Sequence, residues 1–353
     1  MPSHELGLTA LKDGININVN MSASLKEIAE RSGFSINTVS RALRDEDDVR
    51  PETKEAIQAI AQELKYVPNQ VATSLRLGKT NTIGIVSADS SNPFFAEVVT
   101  GIENAAREAQ YHILLVNTEE DPVQELEAME VLVARQIDGL LLMPVCGERN
   151  NSGYLRSLGL PFILVGRWLP GLEDHSVLTD EYEKAKEITS LFIANGHSDI
   201  LHLSGPASVS SSLDRARGYR DALEEAGLPV RESLMVGTSG HTEDGHREIN
   251  ALLRKETPFT AVFAFNDLVA IGALRALKEA GLRVPADVEV IGYDDLDFCR
   301  YLYHSLSSVR IPKQQLGRET FAELLTHIKD PGLVYRKKVL ESRILLRETT
   351  LFE

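Results

Sequence analysis

Five side chains within six positions, Ile36, Asn37, Thr38, Ser40 and Arg41, are of the kinds that read DNA. Arginine can hold both acceptors of a guanine edge and asparagine both polar groups of an adenine edge, while hydroxyls bond phosphates. A second set, Phe94, Phe95, Arg215, Asn266 and Asp294, suits a carbohydrate or a nucleobase. Such a ligand needs a flat apolar face to stack on and a few charged or amide groups to fix its hydroxyls or heteroatoms. Bond-making chemistry has no comparable constellation: there is no G-x-S-x-G, no Walker-type G-x-x-x-x-G-K-[ST], and no G-x-G-x-x-G after a strand. His241 and His246 stand at suggestive spacing, but in a Gly-rich polar stretch that reads as a surface loop. Recognition without catalysis is expected, with no cofactor and no metal.

The first set is positioned by two short helices within Leu25 to Leu43, broken at Ser32-Gly33-Phe34, the outline of a helix-turn-helix. Leu25, Ile28 and Ala29 share a face at i, i+3, i+4 spacing, and Val39 and Leu43 face back toward them. Small Ala29 and Gly33 permit close approach and a sharp turn. Ser35 is placed to cap the second helix, which leaves the five reading side chains on its outer surface. A third amphipathic helix from Pro51 to about Leu64 closes the small core. The segment Asn69 to Leu77 is too short to stay helical alone in water.

The second set depends on the chain beyond Thr80, where short apolar strands alternate with amphipathic helices, the pattern of a parallel α/β sheet. Strands are expected at Ile83-Ala88, His112-Asn117, Gly139-Met143, Phe162-Val165, Ile200-Ser204, Ala261-Phe265 and Val288-Gly292. Helices between them include Phe94-Ala109, Pro122-Arg135, Tyr182-Ala194, Asp214-Ala226, Glu243-Leu253 and Asp267-Ala280. Phe94, Asn266 and Asp294 each come after a strand, at the carboxyl ends where such sheets bind ligands.

Charge divides the chain in the same place. Residues 81 to 353 hold 27 Lys+Arg against 41 Asp+Glu, a net of −14 out of the chain's −15, whereas residues 21 to 80 are balanced at nine of each. The acidic bulk repels a polyanion, so nucleic-acid contact is confined to the front module. The acidic run Asp45-Glu46-Asp47-Asp48 reads as a solvated loop that limits DNA affinity. Two cysteines, Cys146 and Cys299, are too few for a disulfide framework and fit a reducing cytoplasm. No apolar run is long enough to span a bilayer, and residues 1–22 read as a disordered extension or a misassigned start without signal-peptide character.

The chain resembles the lactose-repressor and galactose-repressor family of bacterial transcription regulators from about Ser24 to Thr350. The resemblance rests on TVSR (Thr38 to Arg41), YVPN-x-VA-x-SL (Tyr66 to Leu75), IGIV (Ile83 to Val86), SNPFFAEVVTGIE (Ser91 to Glu103), RARGYRDAL (Arg215 to Leu223), FND (Phe265 to Asp267), IGYDD (Ile291 to Asp295) and LLRETT (Leu345 to Thr350). It implies a helix-turn-helix domain at 23–68, a hinge helix and linker at 69–80, and a two-lobed core at 81–353 resembling periplasmic sugar-binding proteins. Lobe 1 would span about 81–178 and 309–331, and lobe 2 about 181–306 and 334–353.

By the same resemblance Ile36, Asn37 and Arg41 read bases, Ser24, Thr38, Ser40 and Asn69 bond phosphates, and Leu75 enters the minor groove with Ala72 close to its floor. Phe94, Phe95, Ser211, Arg215, Asn266 and Asp294 line an effector pocket. The implied protein is a repressor that binds a near-palindromic operator as a homodimer, through a surface on helix Phe94-Ala109, and answers to a small carbohydrate-like molecule. The rival expectations are a small-molecule binding protein or a doubly wound enzyme without a DNA role. One departure stands out. Sugar-responsive members often carry Asp after the strand Phe162-Val165, where this chain has Gly166 and then Arg167, which leaves room for a phosphorylated or otherwise anionic ligand near Arg167.

Overall fold

The computed structural model describes residues 23–66, 79–147 and 150–351; the extension at 1–22 and the hinge positions Asn69, Ala72 and Leu75 lie outside them. The chain divides into a front unit ending at Gly78 and a larger unit from Lys79 onward.

The front unit has three helices, α1 (Leu25–Ser32), α2 (Ile36–Leu43) and α3 (Pro51–Glu63). Their ends are fixed locally. Ser24 Oγ accepts a hydrogen bond from Glu27 N at 3.2 Å, and Ser35 Oγ accepts one from Thr38 N at 3.1 Å. Gly33 closes α1 at φ 75°, a left-handed conformation that costs a residue without Cβ little. Ile28, Val39, Ala42 and Ile57 are fully buried between the helices. Ala42 takes the place in the core that Leu43 was expected to fill, and Leu25 and Leu43 pack only at its margin.

In the larger unit, β1 (Thr82–Ser87), α4 (Pro93–Glu108), β2 (His112–Asn117), α5 (Pro122–Ala134), β3 (Gly139–Leu142), α6 (Ser152–Ser157), β4 (Phe162–Val165) and β5 (Ser176–Thr179) build most of the first lobe. The second lobe holds α7 (Glu181–Ala194), β6 (Ile200–Ser204), α8 (Ser210–Glu225), β7 (Met235–Gly237), α9 (Thr242–Arg254), β8 (Ala261–Ala264), α10 (Asp267–Glu279) and β9 (Glu289–Ile291). The chain ends with β10 (Ser308–Arg310), α11 (Lys313–Lys329), β11 (Lys338–Leu340) and β12 (Arg343–Leu345). One parallel sheet runs β11-β5-β4-β3-β1-β2 and the other β7-β6-β8-β9, with β10 and β12 forming an antiparallel ribbon. Strands such as β3 (GLLL) and β4 (FILV) are buried at every position because helices cover both sheet faces. No described helix is long and apolar enough to cross a membrane.

The lobes are joined at Asp180, at Ile311-Pro312 and at Glu341-Ser342. The second and third crossings differ from expectation. β10 pairs with β12 and is bridged to the second sheet through Asp294 and Arg310, which moves the second crossing past Arg310. β11 pairs in parallel with β5, so the third crossing lies beyond Leu340 rather than at 331–334. α11, at 313–329, lies between these two crossings in the first lobe and packs on α4 with Gly101 and Gly317 at the contact. A Cβ on Gly101 would collide with the Gln314 carbonyl, and one on Gly317 with that of Val98.

Candidate ligand cleft and DNA-reading face

Where the carboxyl ends of the two sheets face each other, a cleft of about 800 Å³ opens between the lobes. Phe94, Phe95, Arg167, Ser211, Arg215, Asn266 and Asp294 all line it. Local chain chemistry places each of them. Asn92 caps α4 by accepting from Phe94 N at 3.0 Å, with Pro93 at the first helical position, so Phe94 and Phe95 enter at the helix start. Their rings meet edge to face, 5.2 Å apart. Phe94 packs against the cores of both lobes and so spans the join.

The second lobe contributes a buried charge cluster. Arg215 Nε donates to Glu181 Oε2 at 2.6 Å, Nη1 donates to the Phe265 carbonyl, and Nη2 lies 3.9 Å from Asp294 Oδ1. Its guanidinium sits 3.5 Å from the Tyr293 ring centroid and 4.8 Å from that of Phe265. Burial pushes the Asp294 carboxyl up to about 8, against the pull of Arg215. Asp294 also adopts φ 100°. Lys313 Nζ donates to the carbonyls of Asp294 and Asp295 at 2.7 and 2.9 Å and pairs with Glu97 of α4 at 3.2 Å, tying that turn to the first lobe. Asn266 is committed to the protein itself: Oδ1 caps α10 at Val269 N, and Nδ2 donates to the Gly240 carbonyl at 2.9 Å.

In the first lobe Arg167 is held as a fork. Nη1 and Nη2 donate to Glu120 at 2.8 and 2.6 Å, and Nη1 also reaches the Pro144 carbonyl. The anionic ligand expected beside Gly166 therefore meets a guanidinium that is already neutralised. The third arginine of the lining, Arg247, pairs with Asp244 at 2.6 Å. Glu120 and Glu181 were missed in the sequence because each acts through an arginine 47 or 34 positions away, and Asp244 because its pairing with Arg247 on α9 reads as an ordinary i,i+3 helix pair. Away from the crossings, Trp168 N donates to Ser210 Oγ at 2.9 Å, Trp168 Nε1 to Asp214 Oδ2 at 2.8 Å, and Cys146 N to the Ser208 carbonyl. These bonds join loops of the first lobe to the start of α8, so the cleft is bridged on this side as well. α8 begins at Ser210, four residues before its expected start, and this carries Ser211 to the cleft. Nor is His246 on a surface loop: it lies within α9 and pairs with Glu279 at 2.7 Å.

On the front unit, Ile36 is 50% exposed, Asn37 is exposed, and Thr38, Ser40 and Arg41 are half-buried on α2. Ser24 is exposed at the start of α1. The acidic run is not simply solvated. Arg41 pairs with Glu46 at 2.9 Å and with Asp48, Arg44 pairs with Glu46 at 2.9 Å, and Lys54 pairs with Asp45 at 2.7 Å.

Residues 80–344 match the family of periplasmic binding proteins and the sugar binding domain of the LacI family, and residues 24–69 match the bacterial regulatory proteins of the lacI family. The chain is 34% identical to the ribose operon repressor of Haemophilus influenzae, over 93% of this chain and 98% of that protein. It is 33% identical to the HTH-type transcriptional repressor PurR of Actinobacillus pleuropneumoniae, over 90% and 95%. A solved LacI family transcriptional regulator from Enterococcus faecium with bound ribose is 27% identical, with a TM-score of 0.68 over 77% of this chain and 99% of that one. Full-length repressor relatives remove the expectations of an enzyme or of a binding protein without a DNA role. The chain belongs to the LacI family: it is a DNA-binding transcriptional repressor with a helix-turn-helix head and a two-lobed sugar-binding-type core.

Proposed function

We propose that this protein binds a near-palindromic operator as a homodimer and releases it when a neutral sugar of about ribose size enters the cleft. The observation that carries the ligand class is the charge state of the lining. All three described arginines there are paired with carboxylates, while the Phe94 and Phe95 rings and several carboxylate oxygens remain to meet a sugar's face and hydroxyls. The ribose operon repressor and the ribose-bound regulator support the same class. At the head, Ile36, Asn37 and Arg41 read the half-site and Ser24, Thr38, Ser40 and Asn69 hold phosphates, with Ala72 and Leu75 in the minor groove.

Two heads require two chains, and the open edge strand β2 is the surface that joins them. Leu114 and Leu115 are 39% and 48% exposed on it, an apolar edge that a soluble protein covers with a partner. Helix α4 is less suited than expected, because its Val98, Ile102 and Ala105 face is packed in the first lobe's own core, alongside Leu316 and Phe321 of α11. Leu115→Lys is expected to convert the dimer to monomer in sedimentation and to abolish tight operator binding; a variant that stays dimeric removes this interface.

Thermal unfolding with free sugars, nucleosides and nucleobases tests the ligand. A cognate sugar at about 100 times its dissociation constant adds roughly 2.7 kcal/mol, and the same sugar should dissociate a fluorescent operator. Stabilisation by a nucleobase and by no sugar would overturn the sugar reading.

A further inference from the structure

We propose that Glu120 supplies the hydroxyl-binding carboxylate that the loop after β4 lacks, and that with Arg167 it forms a filter admitting free sugars and rejecting phosphorylated ones. This inference rests on the sugar reading above and deepens it. Gly166 offers no side chain at the end of β4, yet a carboxylate stands at the neighbouring Arg167, brought from the loop after β2, 47 positions earlier in the chain.

Its placement is well determined. Glu119 and Glu120 adopt φ values of 51° and 59°, a left-handed pair that is costly for side-chain-bearing residues. The kink is held by Glu120 N, which donates to the Ala88 carbonyl at 3.0 Å, and by Asp121, whose carboxylate caps α5 at Val123 N and Gln124 N. Across the pair, Arg167 is 8% exposed and lies 5.5 Å from the Phe95 centroid, while Glu120 is 28% exposed and lines the cleft.

A carboxylate offers about four acceptor positions. The arginine fork takes two and leaves the cleft-facing remainder for hydroxyl donors, to which an ionised acceptor bonds strongly. A phosphate in the same place meets the Glu120 charge at short range and an Arg167 whose own charge Glu120 already offsets. The neighbouring lining carboxylates Asp89 and Glu119 add to that repulsion.

The test measures binding of ribose and ribose 5-phosphate, glucose and glucose 6-phosphate, and fructose and fructose 6-phosphate to the full-length wild type, Glu120→Gln and Glu120→Asp. Calorimetry and thermal shift supply the readouts. Wild type should favour the free member of the pair it binds by at least about 100-fold. Glu120→Gln should weaken the free sugar about tenfold and tighten its phosphate, narrowing the ratio at least tenfold, because Arg167 is then unneutralised. Glu120→Asp keeps the charge and should keep rejecting phosphate. An unchanged ratio in Glu120→Gln, or equal losses for both ligands in both variants, overturns the filter while leaving the sugar reading standing. A wild type that prefers the phosphorylated member overturns the filter directly, and one that binds no member of any pair overturns the sugar reading and the filter together.

Discussion

Arginine does opposite work at the two ends of this chain. On α2, Arg41 is 39% exposed and its carboxylate partners Glu46 and Asp48 are 38% and 47% exposed. Pairs of that kind contribute about 0–1 kcal/mol and exchange readily. In the core, Arg215 and Glu181 are 4% and 7% exposed, where unpairing a charge is expensive. On the proposed reading, the head's arginine is held by an exchangeable internal anion that operator DNA would replace. The core's arginines would instead act as fixed walls, with carboxylate oxygens left to meet the ligand.

Removing the fixed arginine should have the largest effect. Arg215→Ala leaves Glu181 buried without its partner and is expected to cost roughly 3–5 kcal/mol in unfolding of the larger unit. A variant of unchanged stability that has merely lost its ligand response would show that Arg215 is a contact and not a wall.

The next effect is a pH dependence of the same cluster. Asp294 holds its proton in the fold up to about 8, whereas in the unfolded chain it ionises near 3.8. The folded state thus binds the extra proton between those limits, and stability falls as pH rises through that window. Glu125 and Asp267, raised by burial to about 7 and about 6, act in the same direction. Denaturant titrations from pH 5 to 8.5 should show the decline, and Asp294→Asn should flatten its upper part.

At the head, Arg41→Ala should cost about 1–3 kcal/mol in operator affinity, with a loss of discrimination at one base pair. The larger unit's unfolding should not change. The smallest effect sharpens the contrast: Glu46→Gln with Asp48→Asn should raise operator affinity by no more than a few-fold, about 1 kcal/mol or less, since only exposed pairs are lost. A much greater gain in fluorescence anisotropy titrations would mean that the acidic run is a true inhibitor of the head.

The alternation of strands and helices was readable because buried parallel strands are continuous apolar runs; β1, β3, β4, β6 and β8 announce themselves. β7 and β11 do not, being three residues long, and β11 stands among charged residues with Val339 49% exposed. That single silent strand displaced the third crossing and brought β11 itself into the first lobe's sheet. In the cleft, residues next to strand ends were legible from position alone. Glu120 was not, because its role comes from the reach of one loop to another, and neither loop's sequence records the encounter. Asn266 was found for its place, but both ends of its amide brace the wall.

Trp168 is the chain's one tryptophan, and its indole hydrogen bonds across the gap between the lobes. Parting the lobes would exchange the Asp214 carboxylate for water around that ring. The repressor thus carries its own optical gauge: the emission wavelength of a single native fluorophore reports how far the jaws stand apart, with no label attached and with the DNA-reading head silent in the signal.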